Sequence, residues 1–135
     1  MSLLFYVKLY LLTIPIFFII DLFWLGIVAK NLYRKQIGHL MADETNWGAA
    51  VVFYLIYIAG ILFFAVLPAL SEQSWQKAAF LGAALGFLTY ATYDFTNWAT
   101  LKDWPPMIVV VDVLWGTFLV ATVSIGSYFI GTWLK

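Results

Sequence analysis

The chain has no cysteine, which excludes disulfides, thiolate metal sites and thiol nucleophiles together and leaves the redox compartment open. Charge is nearly as scarce. Only 10% of the 135 residues are charged, against about 25% in a soluble domain. A short soluble chain has a high surface-to-volume ratio and needs a polar coat, and there are too few polar residues here to make one. Seven basic and seven acidic residues cancel, so neither a nucleic-acid partner nor an acidic surface is implied. The motifs of common enzymes are also missing: there is no G-x-S-x-G, no glycine-rich phosphate loop and no histidine-rich box.

What is present is apolar, at 64% hydrophobic residues. A membrane span needs about 20 mostly apolar residues, and four segments qualify: 9–29, 48–70, 78–101 and 107–134. Each run is too long for a membrane strand of roughly ten residues, so the predicted fold is all-α, a polytopic four-helix transmembrane bundle forming a single domain over 1–135. The N-terminal run is read as a retained span and not a signal peptide. Lys8 is a weak charged region, Asp21 interrupts the apolar stretch, and no small-residue cleavage site follows. The connections are polar or proline-containing: Asn31 to Trp47, Ser71 to Lys77 after Pro68, and Lys102 to Pro106. Trp47, Trp75, Trp104 and Trp133 fall at predicted helix ends, where indoles meet headgroups. Pro15 is a predicted kink, and Gly82 with Gly86 makes a G-x-x-x-G that permits close helix approach. The basic residues Lys30, Arg34, Lys35 and Lys102 place the first and third loops together on the cytoplasmic face, with both termini opposite.

Three acids fall inside the spans: Asp21, Asp94 and Asp112. An ionisable group at membrane depth costs at least ~2.5 kcal/mol and is a functional hypothesis by default. Asp21 lies nine residues before Lys30, Asp94 eight before Lys102, and Asp112 nine after Asp103. At about 1.5 Å per residue each carboxylate sits roughly 12–14 Å inside the same face, in one layer. Each has companions on its own helical face: Trp24 three residues after Asp21; Tyr90, Asn97 and Trp98 around Asp94; Trp115 three residues after Asp112. The two D-x-x-W helices run in opposite directions, so their tryptophans are expected on opposite sides of the aspartate layer. No lysine or arginine lies within a span. Three carboxyls without a counterion cannot all be charged in a dry site; at least one holds or shares a proton, water or a cation enters, or the basic loop with Lys30, Arg34, Lys35 and His39 folds down. Three aspartates and an asparagine are hard oxygen donors, yet they come from separate helices with no ligand spacing, so no metal site is predicted.

The stretches Ile20 to Gly26, Tyr93 to Thr100 and Val111 to Gly116, with the Lys102 to Pro106 turn, make the chain resemble a family of small bacterial membrane proteins, domain-of-unknown-function family 2177. The resemblance covers essentially the whole length. It implies a four-helix protein of the bacterial inner membrane, and no activity or catalytic residue comes with it.

Two functions follow from the residues. One is a protein that binds or acts on a lipid-like hydrophobic molecule. Asp21, Asp94 and Asp112 would accept and donate protons, Asn97 would orient the polar group, and Tyr90, Trp24, Trp98 and Trp115 would complete the pocket. Its expected partners are membrane lipid and a hydrophobic small molecule. The other is a proton- or cation-coupled transporter or channel, built as a homo-oligomer. Against the second, the far half of the bundle has no acid, only scattered hydroxyls at Thr13, Thr89, Ser124 and Ser127. The plainest alternative is a structural subunit, whose neutral aspartates only bond helices together at around 0.6 kcal/mol per contact.

Overall fold

A computed structural model describes all residues, 1–135, as helices and short connections without strands. We number the helices α1 (Leu3–Val28), α2 (Lys30–Ile37), α3 (Trp47–Ser71), α4 (Trp75–Thr100) and α5 (Pro106–Leu134). Local sequence explains the ends. Ser2, Asn46 and Ser74 each accept a hydrogen bond from a backbone N–H three residues on, which satisfies donors that a helix start leaves free. The Ser2 cap starts α1 six residues before the expected Leu9. Pro106 occupies the first position of α5, where the missing N–H costs nothing. Pro15 lies within an α-helix that runs on to Phe23.

The polar first connection is itself structured. α1 widens to a π-turn at Trp24–Val28, with Ala29 N–H donating to Trp24 O at 2.7 Å. After Ala29 the chain re-enters a helix, α2, whose Tyr33 is buried while Lys30, Arg34 and Lys35 stay exposed. A second π-turn occurs at Leu62–Val66 in α3.

The tightest contact is the antiparallel hairpin of α4 and α5. A methyl group on Gly82 would meet Ser124 Oγ at 2.5 Å and Val120 O at 2.7 Å. On Gly86 it would run into the Gly116 carbonyl, and on Gly116 into the Tyr90 ring. The G-x-x-x-G pair therefore sits at a main-chain-to-main-chain contact, as small residues do in membrane bundles. α1 lies against α5 through the buried Thr13–Ser127 pair at 2.7 Å, and α3 closes the bundle by aromatic packing of Phe17 on Tyr54 and Tyr57. One apolar core runs through Leu9, Phe17, Ile58, Val66, Leu119 and Val123. A smaller one, at the end carrying the first and third loops, joins Ala29, Tyr33, Trp104, Ile108, Val109 and Val113.

Only 32 of 135 residues are buried, and the outer faces carry large apolar side chains such as Leu4, Ile19, Phe53, Phe63, Phe80, Leu114 and Phe118. A surface this apolar marks a membrane-embedded protein. Three helices, α1, α3 and α5, are long and apolar enough to cross a bilayer. α4 has 26 residues but falls short in apolarity, because Gln76, Lys77, Asp94, Asn97 and a run of threonines dilute it. The expected count of four apolar spans is thus three by composition.

Tryptophan placement departs from expectation at one position. Trp47, Trp75 and Trp133 are exposed, but Trp104 is 7% exposed and packs edge-on to Tyr93 with centroids 5.8 Å apart. Its ring is drawn inward because α2 and the start of α5 form a small apolar core around it.

Candidate functional site

Asp21, Asp94 and Asp112 are all buried: Asp94 is 0%, Asp21 4% and Asp112 9% exposed. They come from α1, α4 and α5 and meet between the two apolar cores. Asp21 accepts from Trp115 Nε1 at 3.1 Å and from Tyr54 Oη at 3.5 Å. Asp112 accepts from Tyr33 Oη at 2.7 Å, and that oxygen accepts from Trp24 Nε1 at 3.3 Å. Each aspartate is therefore served by the tryptophan of the other D-x-x-W, one directly and one through Tyr33. Asp94 lies against the Asp112 carboxyl, close enough for the two to share a proton, and no N–H or hydroxyl donor reaches either of its oxygens.

The tryptophans do not point to opposite sides. Trp24 and Trp115 stack face to face, centroids 4.5 Å apart and planes within 8°. With Trp115 bonded to Asp21 and Trp24 to the Tyr33 that serves Asp112, two antiparallel D-x-x-W segments fit best with their aspartates offset by about three residues, ~4.5 Å along the axis. Counting back from Lys30 treated that residue as the helix end, but it begins α2, beyond a π-turn and a break at Ala29.

Two cavities adjoin the carboxylates. The larger, of about 410 Å³, opens between α3, α4 and α5 and is lined by Phe53, Tyr54, Tyr57, Thr89, Tyr90, Thr92, Tyr93, Thr96 and Asp112. The smaller, of about 220 Å³, touches Asp21, Tyr33, Tyr90, Trp104, Asp112 and Trp115 among others. Tyr54, Tyr90, Tyr93 and Asp112 belong to both. Asn97 is half-buried and lines neither, and it donates no bond to Asp94. Trp98 is 46% exposed and leans on Phe95. At i+4 it is rotated about 40° from Asp94, and Trp104 fills the adjacent interior. The basic loop does not fold down: the one ion pair in the protein is Lys77–Glu72 at 2.6 Å, and what reaches in from α2 is a phenol. No three acidic or histidine side chains come close enough to ligate one ion.

Sequence reasoning missed Tyr33, Tyr54 and Tyr57. Tyr33 lies in a stretch that reads as polar loop, although Ala29, Tyr33 and Ile37 recur at i, i+4 and i+8, the apolar stripe of a short amphipathic helix. Tyr54 and Tyr57 form an i, i+3 pair on one face of α3, a signal that was available.

Tyr33 lies outside the spans. Burial first, then the Asp112 carboxylate beside it, push its phenol above the ordinary value of about 10. A raised folded value means the phenol stays a donor in the folded chain through the pH at which an unfolded tyrosine ionises; its contribution to stability is full below that pH, falls as pH rises above it, and is gone by the higher folded value. The tyrosinate absorbance of wild type minus Tyr33→Phe is therefore expected to show no step near pH 10. A step there would mean the phenol is solvated and not bonded to Asp112.

The model of a family described as predicted membrane protein, DUF2177, matches residues 6–129. No curated protein and no solved structure matches the chain.

Proposed function

The chain belongs to the DUF2177 family of predicted membrane proteins, and from that premise we propose that it binds a lipid-like amphiphile between α3, α4 and α5. The polar end of the ligand lies at Asp112, with Asp94 and Asp21 behind it, and the apolar part lies along the tyrosine-lined cavity. What carries this reading is the joining of an aromatic cavity of about 410 Å³ to a carboxylate. A mostly apolar cleft with a few convergent polar groups is the common form of a small-molecule site.

The reading includes four spans in the bacterial inner membrane. α4 crosses despite its polarity because its threonines bond backward to their own helix: Thr92 to Leu88 O, Thr96 to Thr92 O, Thr100 to Thr96 O. Both termini then share one side and the His39 loop lies on the other. Reporter fusions at Lys135 and near His39 giving the same localisation would contradict this.

Native mass spectrometry from maltoside micelles tests the binding. Wild type is expected to carry one amphiphile adduct. Thr92→Trp, which fills the cavity from a position that spends its hydroxyl on its own helix, is expected to lose it. A folded wild-type protein that never carries an adduct, even after lipid is added back, counts against the proposal.

A further inference from the structure

The larger cavity presents almost no hydrogen-bond donors. Tyr54 spends its proton on Asp21. Thr89 donates to Leu85 O at 2.8 Å, so in the 2.7 Å Tyr57–Thr89 pair it is Tyr57 that donates. Thr92 and Thr96 donate to their own helix. Asp112 has one oxygen occupied by Tyr33 and no protein donor on the other. Only the Tyr90 and Tyr93 hydroxyls are uncommitted among the lining groups. Trp104, whose N–H has no partner, lines the smaller cavity. Behind Asp112 stands Asp94, 0% exposed, with no N–H or hydroxyl donor on either oxygen and the Asp112 carboxyl as its one polar neighbour. No lysine, arginine or histidine lines either cavity.

A phosphate or carboxylate head would meet carboxylates and spent hydroxyls there, with only the Tyr90 and Tyr93 hydroxyls left to donate to it. A head that only donates, and is positive, matches on three counts. It supplies N–H groups to the free Asp112 oxygen. It balances charge, since two adjacent carboxyls sharing one proton carry a single negative charge. It sits among aromatic faces, with Phe53 and Tyr57 stacked 5.4 Å apart on one wall, and ring faces attract cations. Resting on the reading of this cavity as an amphiphile site, we propose that its occupant bears a protonated amine, an ammonium head seated against Asp112 within the ring of tyrosines.

The test uses the full chain in dodecyl maltoside, which has no amine, titrated with three probes of equal tail: octylammonium, octanol and octanoate. Saturable change in tryptophan fluorescence reports occupancy, since the stacked Trp24–Trp115 pair lies beside Asp112. Octylammonium is expected to half-saturate at least tenfold below the other two, and Asp112→Asn to erase that preference. If Asp112→Asn does not fold, Thr92→Trp, which leaves the carboxylates in place, is expected to remove saturation by octylammonium. Octanol or octanoate binding as tightly as octylammonium overturns the ammonium assignment and leaves the amphiphile site standing. No saturation by any probe overturns both. Adding phosphatidylethanolamine separates the sources of the amine. Competition identifies a bilayer lipid and no competition a free amine, and the ammonium assignment holds in each case.

Discussion

Asp94→Leu is expected to make the protein more stable, by about 1–3 kcal/mol, while abolishing ligand binding. A buried polar group short of partners costs that much, and Asp94 is fully buried with no N–H or hydroxyl donor on either oxygen, only the neighbouring Asp112 carboxyl beside it. Leucine removes the poorly served oxygens and leaves Asp112 with its Tyr33 donor, and an apolar replacement of a buried ionisable group is often stabilising. Sequence alone argues the reverse, since Asn97 and Trp98 at i+3 and i+4 look like partners that would be orphaned. The structure leaves Asn97 unbonded to Asp94 and Trp98 outside the bundle, so that cost does not arise. Reversible unfolding in mixed micelles, read beside the adduct mass, checks both halves. A clear loss of stability would mean that Asp94 has a partner in the native state.

Gly86→Leu is expected to prevent the native α4–α5 pairing, at a cost of more than ~3 kcal/mol, the upper end for ordinary overpacking. What the new side chain meets is the main chain at Gly116, which cannot rotate away as a side chain can. The two helices would have to separate along their whole contact, pulling Tyr90 and Asp94 from Asp112. Gly60→Ala is the matched control. Nothing lies within 4 Å of a methyl group there, and alanine improves a helix interior by about 0.5–1 kcal/mol. Comparable stability of the two variants would show that the seam is looser than described.

The helices and the buried aspartates were legible in the sequence because they depend on local quantities: apolar run length, and the rarity of charge within a run. Asp21, Asp94 and Asp112 stood out for that reason. Their partners were not legible. A face shared by residues of one helix fixes direction only to within tens of degrees, which is why Tyr90 joined the site and Trp98 did not. Partners across helices depend on register, and register here is set by the glycine contacts and by the π-turn after Phe23. The exchange of tryptophans between Asp21 and Asp112 needs both. Tyr33 depends besides on α2 folding back over the bundle end, which no count of hydropathy in the loop conveys. Trp104 was misplaced for a related reason: an interfacial position was inferred from its place along the chain, whereas α2 and the start of α5 supply it with an interior.

The glycine seam also bears on how the protein enters its membrane. α4 is less apolar than α1, α3 and α5, while α5, joined to it by a short turn, is long and apolar enough to cross a bilayer. Membrane helices ordinarily insert one by one and associate afterwards. Here the second step is expected to help the first: the backbone of α4 is covered by α5 along Gly82 and Gly86, and Asp94 is buried once the hairpin closes. The pair, more than either helix, is then the favourable unit to insert, and a nascent chain halted after Thr100 is expected to hold α4 less firmly in the bilayer than one that continues through α5.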